Sequence, residues 1–164
     1  MEITTELVKE LRDKTGVSVM QCKKALEEAS GDMDKAVALL QAKSADIASK
    51  KGDRKLGSGA IASYIHATGS IGSMVELLCE TDFVSNNEEF KALAKDIALH
   101  VTAMNPEFLK AEDAGEGAAP ESILLNQPFV KNPELTITNM IQSAVQKFGE
   151  NIELSRFVRF SVSE

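Results

Sequence analysis

The residues able to do covalent or proton-transfer chemistry are few and scattered. His66 and His100 are the only histidines, and Cys22 and Cys79 the only cysteines, among 164 residues. A general base needs an acid or a nucleophile beside it, and no such partner accompanies His66, on a strand face with Tyr64, or His100, within a helix. Cys79 ends an apolar strand face and reads as a small buried hydrophobe rather than a reactive thiolate. Neither cysteine belongs to a C-x-x-C pair or a Cys/His cluster, so no metal is expected. An enzyme built on His66 and Cys79 is the weakest functional reading.

Two glycine patterns imitate nucleotide loops. Gly52 to Gly57 has the spacing that opens a phosphate-binding loop, but Ser58 and Gly59 stand where Lys and Ser or Thr must hold phosphate and Mg²⁺. Gly57-Ser58-Gly59-Ala60-Ile61-Ala62 matches a dinucleotide fingerprint, yet leads into a strand where the fingerprint must open a helix. No cofactor is expected. That leaves Asp82 and Phe83, at a strand-to-helix junction. Phe83 or Val84 reads either as a hydrophobic staple on the next helical turn or as a projecting aromatic wedge beside a carboxylate, the kind of anchor that dominates protein interfaces.

The elements positioning this pair follow from periodicity. Thr4 or Thr5 caps a first helix ending at Thr15-Gly16. Ser18 with Gln21 opens a second, whose Cys22, Ala25, Leu26 and Ala29 share one face, and Asp32 opens a third with Ala36, Val37, Leu39 and Leu40 inward. Three such short helices have a limited core and read as a docking module over 1–44. Residues 45–58, with Lys50, Lys51, Asp53, Arg54 and Lys55, read as a basic linker; a nucleic-acid patch is the alternative, without interleaved aromatics for base stacking.

From Ser58 to Cys79 the period is two, a β-hairpin turning at Thr68-Gly69-Ser70. Ser85 with Glu88 reads as the capping box of a helix carrying Phe90, Leu93, Ala94, Ile97, Val101 and Met104, which ends at Asn105-Pro106. Residues 107–122 read as a solvated acidic loop, and Phe129 and Val130 as an isolated apolar pair. Another helix carries Ile137, Met140, Ile141, Ala144, Val145 and Phe148. In the last strand Ile152, Leu154, Val158, Phe160 and Val162 alternate with polar neighbours. The expected core, 59–164, thus runs β-β-α-α-β.

Composition narrows the partners. The formal net charge of −7 is uneven, with 11 basic and 10 acidic side chains in residues 1–58 against 7 and 15 in residues 59–164. An acidic chain makes a poor general nucleic-acid binder. No apolar run approaches the roughly 20 residues of a membrane helix. The start MEITTELVKEL resembles neither a secretory signal nor a transit peptide, and the two cysteines fit a reducing compartment. The expected location is cytoplasmic, or an organelle matrix had a targeting segment been removed.

Two stretches resemble translation elongation factor Ts. LRDKTGVSVMQCKKAL, residues 11–26, is similar to that family's N-terminal signature, and ELLCETDFVSNNEEF, residues 76–90, to its second signature. SYIHATGSIG, QPFVK and KFGENIELSRFVRF support the likeness in family order. The resemblance implies an α+β protein, with a three-helix ubiquitin-associated-like domain before a two-layer α/β core holding a three-stranded antiparallel sheet. It further implies a guanine-nucleotide exchange factor for elongation factor Tu, without covalent chemistry. By that analogy Phe83 is a wedge entering the G domain and disturbing its Mg²⁺ and phosphate site, with Asp82 beside it and Thr81 and Val84 shaping the turn. The N-terminal signature implicates Arg12, Val19 and Met20 in the same partner, although family members often carry two methionines where this chain has Val19-Met20. The family generally has a longer, charged, helical stretch where residues 105–125 stand here. Short members act as symmetric dimers, so a homodimer is expected, paired through the edge strand around residues 157–162.

Overall fold

The computed structural model describes residues 2–163. The fold is α+β, with six helices and a three-stranded antiparallel sheet. The chain forms two compact units. One runs to Asp53 and takes in Asn139–Asn151; the other comprises Arg54–Thr138 and the chain from Ile152.

In the first unit, α1 (Thr5–Thr15), α2 (Val19–Glu28) and α3 (Met33–Lys51) begin at the three expected caps. The side-chain oxygens of Thr4, Ser18 and Asp32 accept the amides of Leu7, Gln21 and Lys35, satisfying donors that a helix start leaves unpaired. Gly16, at φ +70°, closes α1 with its amide on the Arg12 carbonyl. Val8, Leu11, Val17, Cys22, Ala25, Leu26, Ala36 and Leu40 form the core.

The third helix corrects the expected boundaries. Residues 45–51 continue α3 instead of opening a linker. Their Ala, Lys and Asp content is compatible with helix, Asp46 and Lys50 pair at 3.0 Å one turn apart, and no Gly or Pro interrupts before Gly52. α3 also bonds to α6 (Ile137–Phe148), a helix expected in the core, and to the residue after it. Ser44, buried on α3, donates to the Gln146 side chain, and Lys51 Nζ reaches the Gly149 carbonyl at 3.2 Å. Residues from Asn139 therefore group with the first three helices.

In the second unit, β1 (Ser58–Ile65) and β2 (Ile71–Cys79) pair antiparallel, from Ser58 opposite Cys79 to Ile65 opposite Gly72. β5 (Ile152–Ser161) pairs with the other side of β2, giving the order β1-β2-β5. One sheet face is covered by α5 (Glu88–Met104), which buries Phe90, Ala94, Ile97, Ala98 and Val101 over Val75, Leu77 and Cys79. Between β2 and α5 lies the single turn α4 (Asp82–Ser85). The expected capping box is therefore replaced: Asn87 caps α5 by accepting the Glu89 amide at 2.8 Å, because Ser85 already closes α4. Gly59 has a packing reason unrelated to phosphate, since a Cβ there would stand 2.6 Å from the Leu77 carbonyl oxygen.

The last strand departs from simple alternation. Leu154 lies opposite Leu77 but Arg156 opposite Glu76, so Ser155 is an extra residue in the ladder. Its hydroxyl donates to a Glu76 carboxylate oxygen at 2.6 Å, and Arg156 pairs with the other at 3.1 Å. These contacts hold the Glu76 carboxyl below its usual range, the Ser155 hydrogen bond contributing most. Before the bulge, Ile152 and Leu154 are buried; after it, Val158 and Phe160 are exposed on the opposite face.

Phe129, expected in an isolated apolar pair, belongs to a small ladder of β3 (Pro128–Phe129) and β4 (Asn132–Thr136). Residues 107–122 hold only two single 3-10 turns, Ala111–Asp113 and Pro120–Ser122, and the segment is tied at its ends where the Leu124 amide meets the Phe108 carbonyl at 2.7 Å. The small ladder is anchored by His100, which is fully buried. The Val130 amide donates to its Nδ1 at 3.1 Å, so Nε2 carries the proton and donates to Gln127 Oε1 at 2.9 Å. Gln127 Nε2 then donates to the Glu121 carbonyl at 2.8 Å, and the Gln127 carbonyl accepts the Ile137 amide. A neutral imidazole satisfies every group in this chain of bonds.

Burial lowers the His100 pKa, with the Gln127 bond opposing more weakly. The unfolded chain therefore takes up the proton first as pH falls. The stability contributed by neutral His100 is whole above the ordinary histidine value of about 6.5 and is lost as pH falls from there toward the folded value. We expect the urea midpoint to drop between pH 7.5 and 5.5, and His100→Gln to flatten that dependence.

Candidate functional site

The junction after β2 places the Thr81, Asp82, Phe83 and Val84 quartet. Thr81 is still extended, at φ −128° and ψ 158°, and the chain turns helical at Asp82. In a single helical turn, successive side chains leave in different directions. Val84 and Ser85 point inward and are buried, whereas Phe83 is 90% exposed. The packing role falls to Val84, and Phe83 contributes nothing to the core. A phenylalanine left in water forgoes roughly 2 kcal/mol of burial. Asp82 and Thr81 are exposed beside it.

The turn is held on both sides. The Ser85 amide meets the Thr81 carbonyl at 3.2 Å, and the Asn86 amide meets the Asp82 carbonyl at 3.0 Å. Behind them, the Cys79 thiol donates to the Thr81 carbonyl at 3.2 Å, and the Ser85 and Ser58 hydroxyls stand 2.8 Å apart. Nearby, the exposed Arg54 pairs with the partly buried Glu80 at 3.5 Å.

Arg12, Val19 and Met20 belong to the other compact unit. Arg12 is exposed in the last turn of α1, where a cation complements the helix dipole. Val19 and Met20 open α2 and face solvent, Met20 being 77% exposed, because the buried face of that helix starts at Cys22. Arg12 also lies near Lys147, whose pKa is lowered first by burial and then by the Arg12 charge.

His66 is exposed and shares a 3.3 Å contact between its Nδ1 and the Tyr64 hydroxyl. Both cysteines are buried and outside any disulfide, and burial pushes the Cys22 thiol up, away from thiolate. Among the described residues, no three His, Cys, Asp or Glu side chains cluster to hold a metal. No helix among them is long and apolar enough to cross a membrane.

One surface escaped the sequence reading. The sheet face opposite α5 carries exposed Ile61, Ile65, Met74, Val158, Phe160 and Val162, with Phe160 74% exposed. A signal existed in β1, whose inward residues Ala60 and Ala62 are small while the bulky Ile61 and Ile65 alternate with them. Both faces of that strand are apolar, so period two alone does not say which is covered.

A sequence model of the family described as Elongation factor TS matches residues 2–119. Elongation factor Ts of Thermodesulfovibrio yellowstonii is 44% identical over 196 residues, covering 100% of this chain and 98% of that protein. Those of Desulfotalea psychrophila and Thermosipho melanesiensis are 43% and 42% identical over 195 residues, covering 99% of this chain and 99% and 100% of theirs. A matched stretch of 196 residues against 164 here means that the Thermodesulfovibrio protein carries residues without a counterpart in this chain. The chain belongs to the elongation factor Ts family.

The burial contrast at the junction makes a stability prediction. Phe83→Ala should leave the thermal midpoint unchanged within experimental error. Val84→Ala, which deletes two buried carbons, should cost about 1–2 kcal/mol in urea titration.

Proposed function

We propose that this chain is a guanine-nucleotide exchange factor that binds elongation factor Tu, GDP-bound and nucleotide-free, and promotes GDP release during translation elongation. Membership of the elongation factor Ts family supports the role. The observation that carries its local form is Phe83, a large aromatic held almost wholly in solvent on a short, well-braced turn. Phe83 enters the G domain and, with Asp82 beside it, perturbs the Mg²⁺ and phosphate site. Thr81 and Val84 set the turn. The first three helices act as a ubiquitin-associated-like docking module, touching the same partner through Arg12, Val19 and Met20, two of them exposed apolar side chains.

This activity needs no acid, base or cofactor on the factor. A protein that binds nucleotide-free Tu more tightly than GDP-bound Tu weakens GDP binding by the same factor, by linkage. Displacing Mg²⁺ removes the largest local charge holding the phosphates. The chain works in the cytoplasm, with a protein rather than nucleic acid or membrane as its partner.

The factor acts as a homodimer. Six exposed apolar side chains on one sheet face are more than an isolated soluble surface ordinarily presents together. A second copy offers the same face, and packing the two about a twofold axis closes the assembly. This face supports the dimer better than the strand edge expected from sequence, because the bulge in β5 turns Val158 and Phe160 onto it.

The test is release of a fluorescent GDP analogue from elongation factor Tu. Wild-type protein should accelerate release, and Phe83→Ala should lower that effect roughly tenfold or more. No acceleration by folded protein leaves a non-exchanging adaptor instead. Light scattering at micromolar concentration should give the dimer mass, and Phe160→Asp should give a monomer; a wild-type monomer overturns the dimer.

A further inference from the structure

The turn that carries Phe83 is too short to hold itself. A helix of four residues has paid its nucleation cost for very few hydrogen bonds. Its N-cap, Thr81, makes no side-chain cap bond. Yet an aromatic that must enter a partner in one orientation needs a rigid base, since a misplaced wedge spends its binding energy on ordering.

Both ends of the turn are gripped from the sheet, by residues that face each other. Cys79, the last residue of β2, donates its thiol to the Thr81 carbonyl at 3.2 Å. Ser58, the first residue of β1, meets the Ser85 hydroxyl at 2.8 Å. Ser58 and Cys79 are direct cross-strand partners. The Ser85 hydroxyl also donates to the Asp82 carbonyl at 3.3 Å, which commits its proton and leaves Ser58 as donor to Ser85. Ser85 is buried and Ser58 partly buried, so this relay is partly shielded from competing water. The bonds run from the paired strand ends to the N-cap and the last residue of the turn, with Phe83 between them.

We propose that Ser58, Cys79 and Ser85 are positioning residues for Phe83, a polar bracket that fixes the wedge for nucleotide release. The inference rests on the exchange reading above. None of the three touches the partner; they act through the turn. Ser58 and Ser85 form one relay, so losing either hydroxyl releases the same end of the turn.

The experiment measures GDP-analogue release from elongation factor Tu over a range of factor concentrations, using the full chain. Variants are Ser58→Ala, Ser85→Ala, their double, Ser58→Thr and Phe83→Ala. Each alanine variant should lower the maximal release rate roughly fivefold, the scale of one lost buried hydrogen bond. The double variant should be no worse than either single one, because the pair acts as a unit. Ser58→Thr, which keeps a hydroxyl, should restore the rate. A merely structural role would reduce the folded fraction and shift the half-saturating concentration, leaving the maximal rate unchanged. An unchanged maximal rate in both alanine variants, with Phe83→Ala impaired, overturns the bracket and leaves the exchange reading standing. An unchanged rate in Phe83→Ala as well overturns both. Should Ser85→Ala fail to fold, Ser58→Ala carries the comparison, with faster amide exchange at residues 83–86 expected and unaltered exchange counting against the bracket.

Discussion

One extra residue in the last strand decides which surfaces this chain buries. Side chains alternate along a strand, so a shift of one residue moves every later side chain to the other face. Ser155 makes that shift between Leu154 and Arg156, and Glu76 holds it with bonds to both Ser155 and Arg156. Ile152 and Leu154 consequently join the core under α5, while Val158 and Phe160 join Ile61, Ile65 and Met74 outside. An unbulged strand would send all four apolar residues toward α5. The covered face of β2 is already filled by Val75, Leu77 and Cys79, and overpacking a filled core is itself destabilising.

The same sheet governs the other surface. β2 ends at Cys79 because its pairing with β1 ends at Ser58, and the chain leaves at that point into α4. Val84 and Ser85 turn inward, which leaves Phe83 no inward direction. α5 then covers the sheet and carries His100, whose neutral ring ties the small ladder and, through Gln127, the start of α6. Buried polar groups that are all satisfied specify one arrangement, because any other leaves a donor or acceptor stranded at a cost about twice the bond's net worth.

Much of this was legible in the residues. The three N-caps, the hairpin from Ser58 to Cys79 and the stripe of α5 all follow local rules, and the structure contains them. What local rules missed depends on partners distant in sequence. Residues 45–51 looked like a solvated linker by charge, but charge is no obstacle to an exposed helix face, and α6 supplies contacts from a hundred residues away. The Ser85 cap was displaced because Ser85 closes α4, where its hydroxyl also meets Ser58, 27 residues upstream. The bulge was invisible because the pattern from Ile152 to Phe160 is regular; only the pairing with β2 breaks it. At the junction the sequence singled out Phe83 and Val84 together, and only packing separates their fates.

That separation bears on how an exchange factor could act on a nucleotide held by its partner. Exchange is a difference in binding between two states of a partner, and contacts made equally in both states shift nothing. A broad apolar surface gives affinity without that discrimination. A single side chain on a braced turn discriminates, because it fits only the partner conformation that makes room for it. An unbraced Phe83 would adapt to both conformations and lose the difference, however tightly it bound. The rigidity of α4 is therefore as much a part of the proposed function as the aromatic ring, and it is supplied from the paired ends of β1 and β2 rather than from the turn itself.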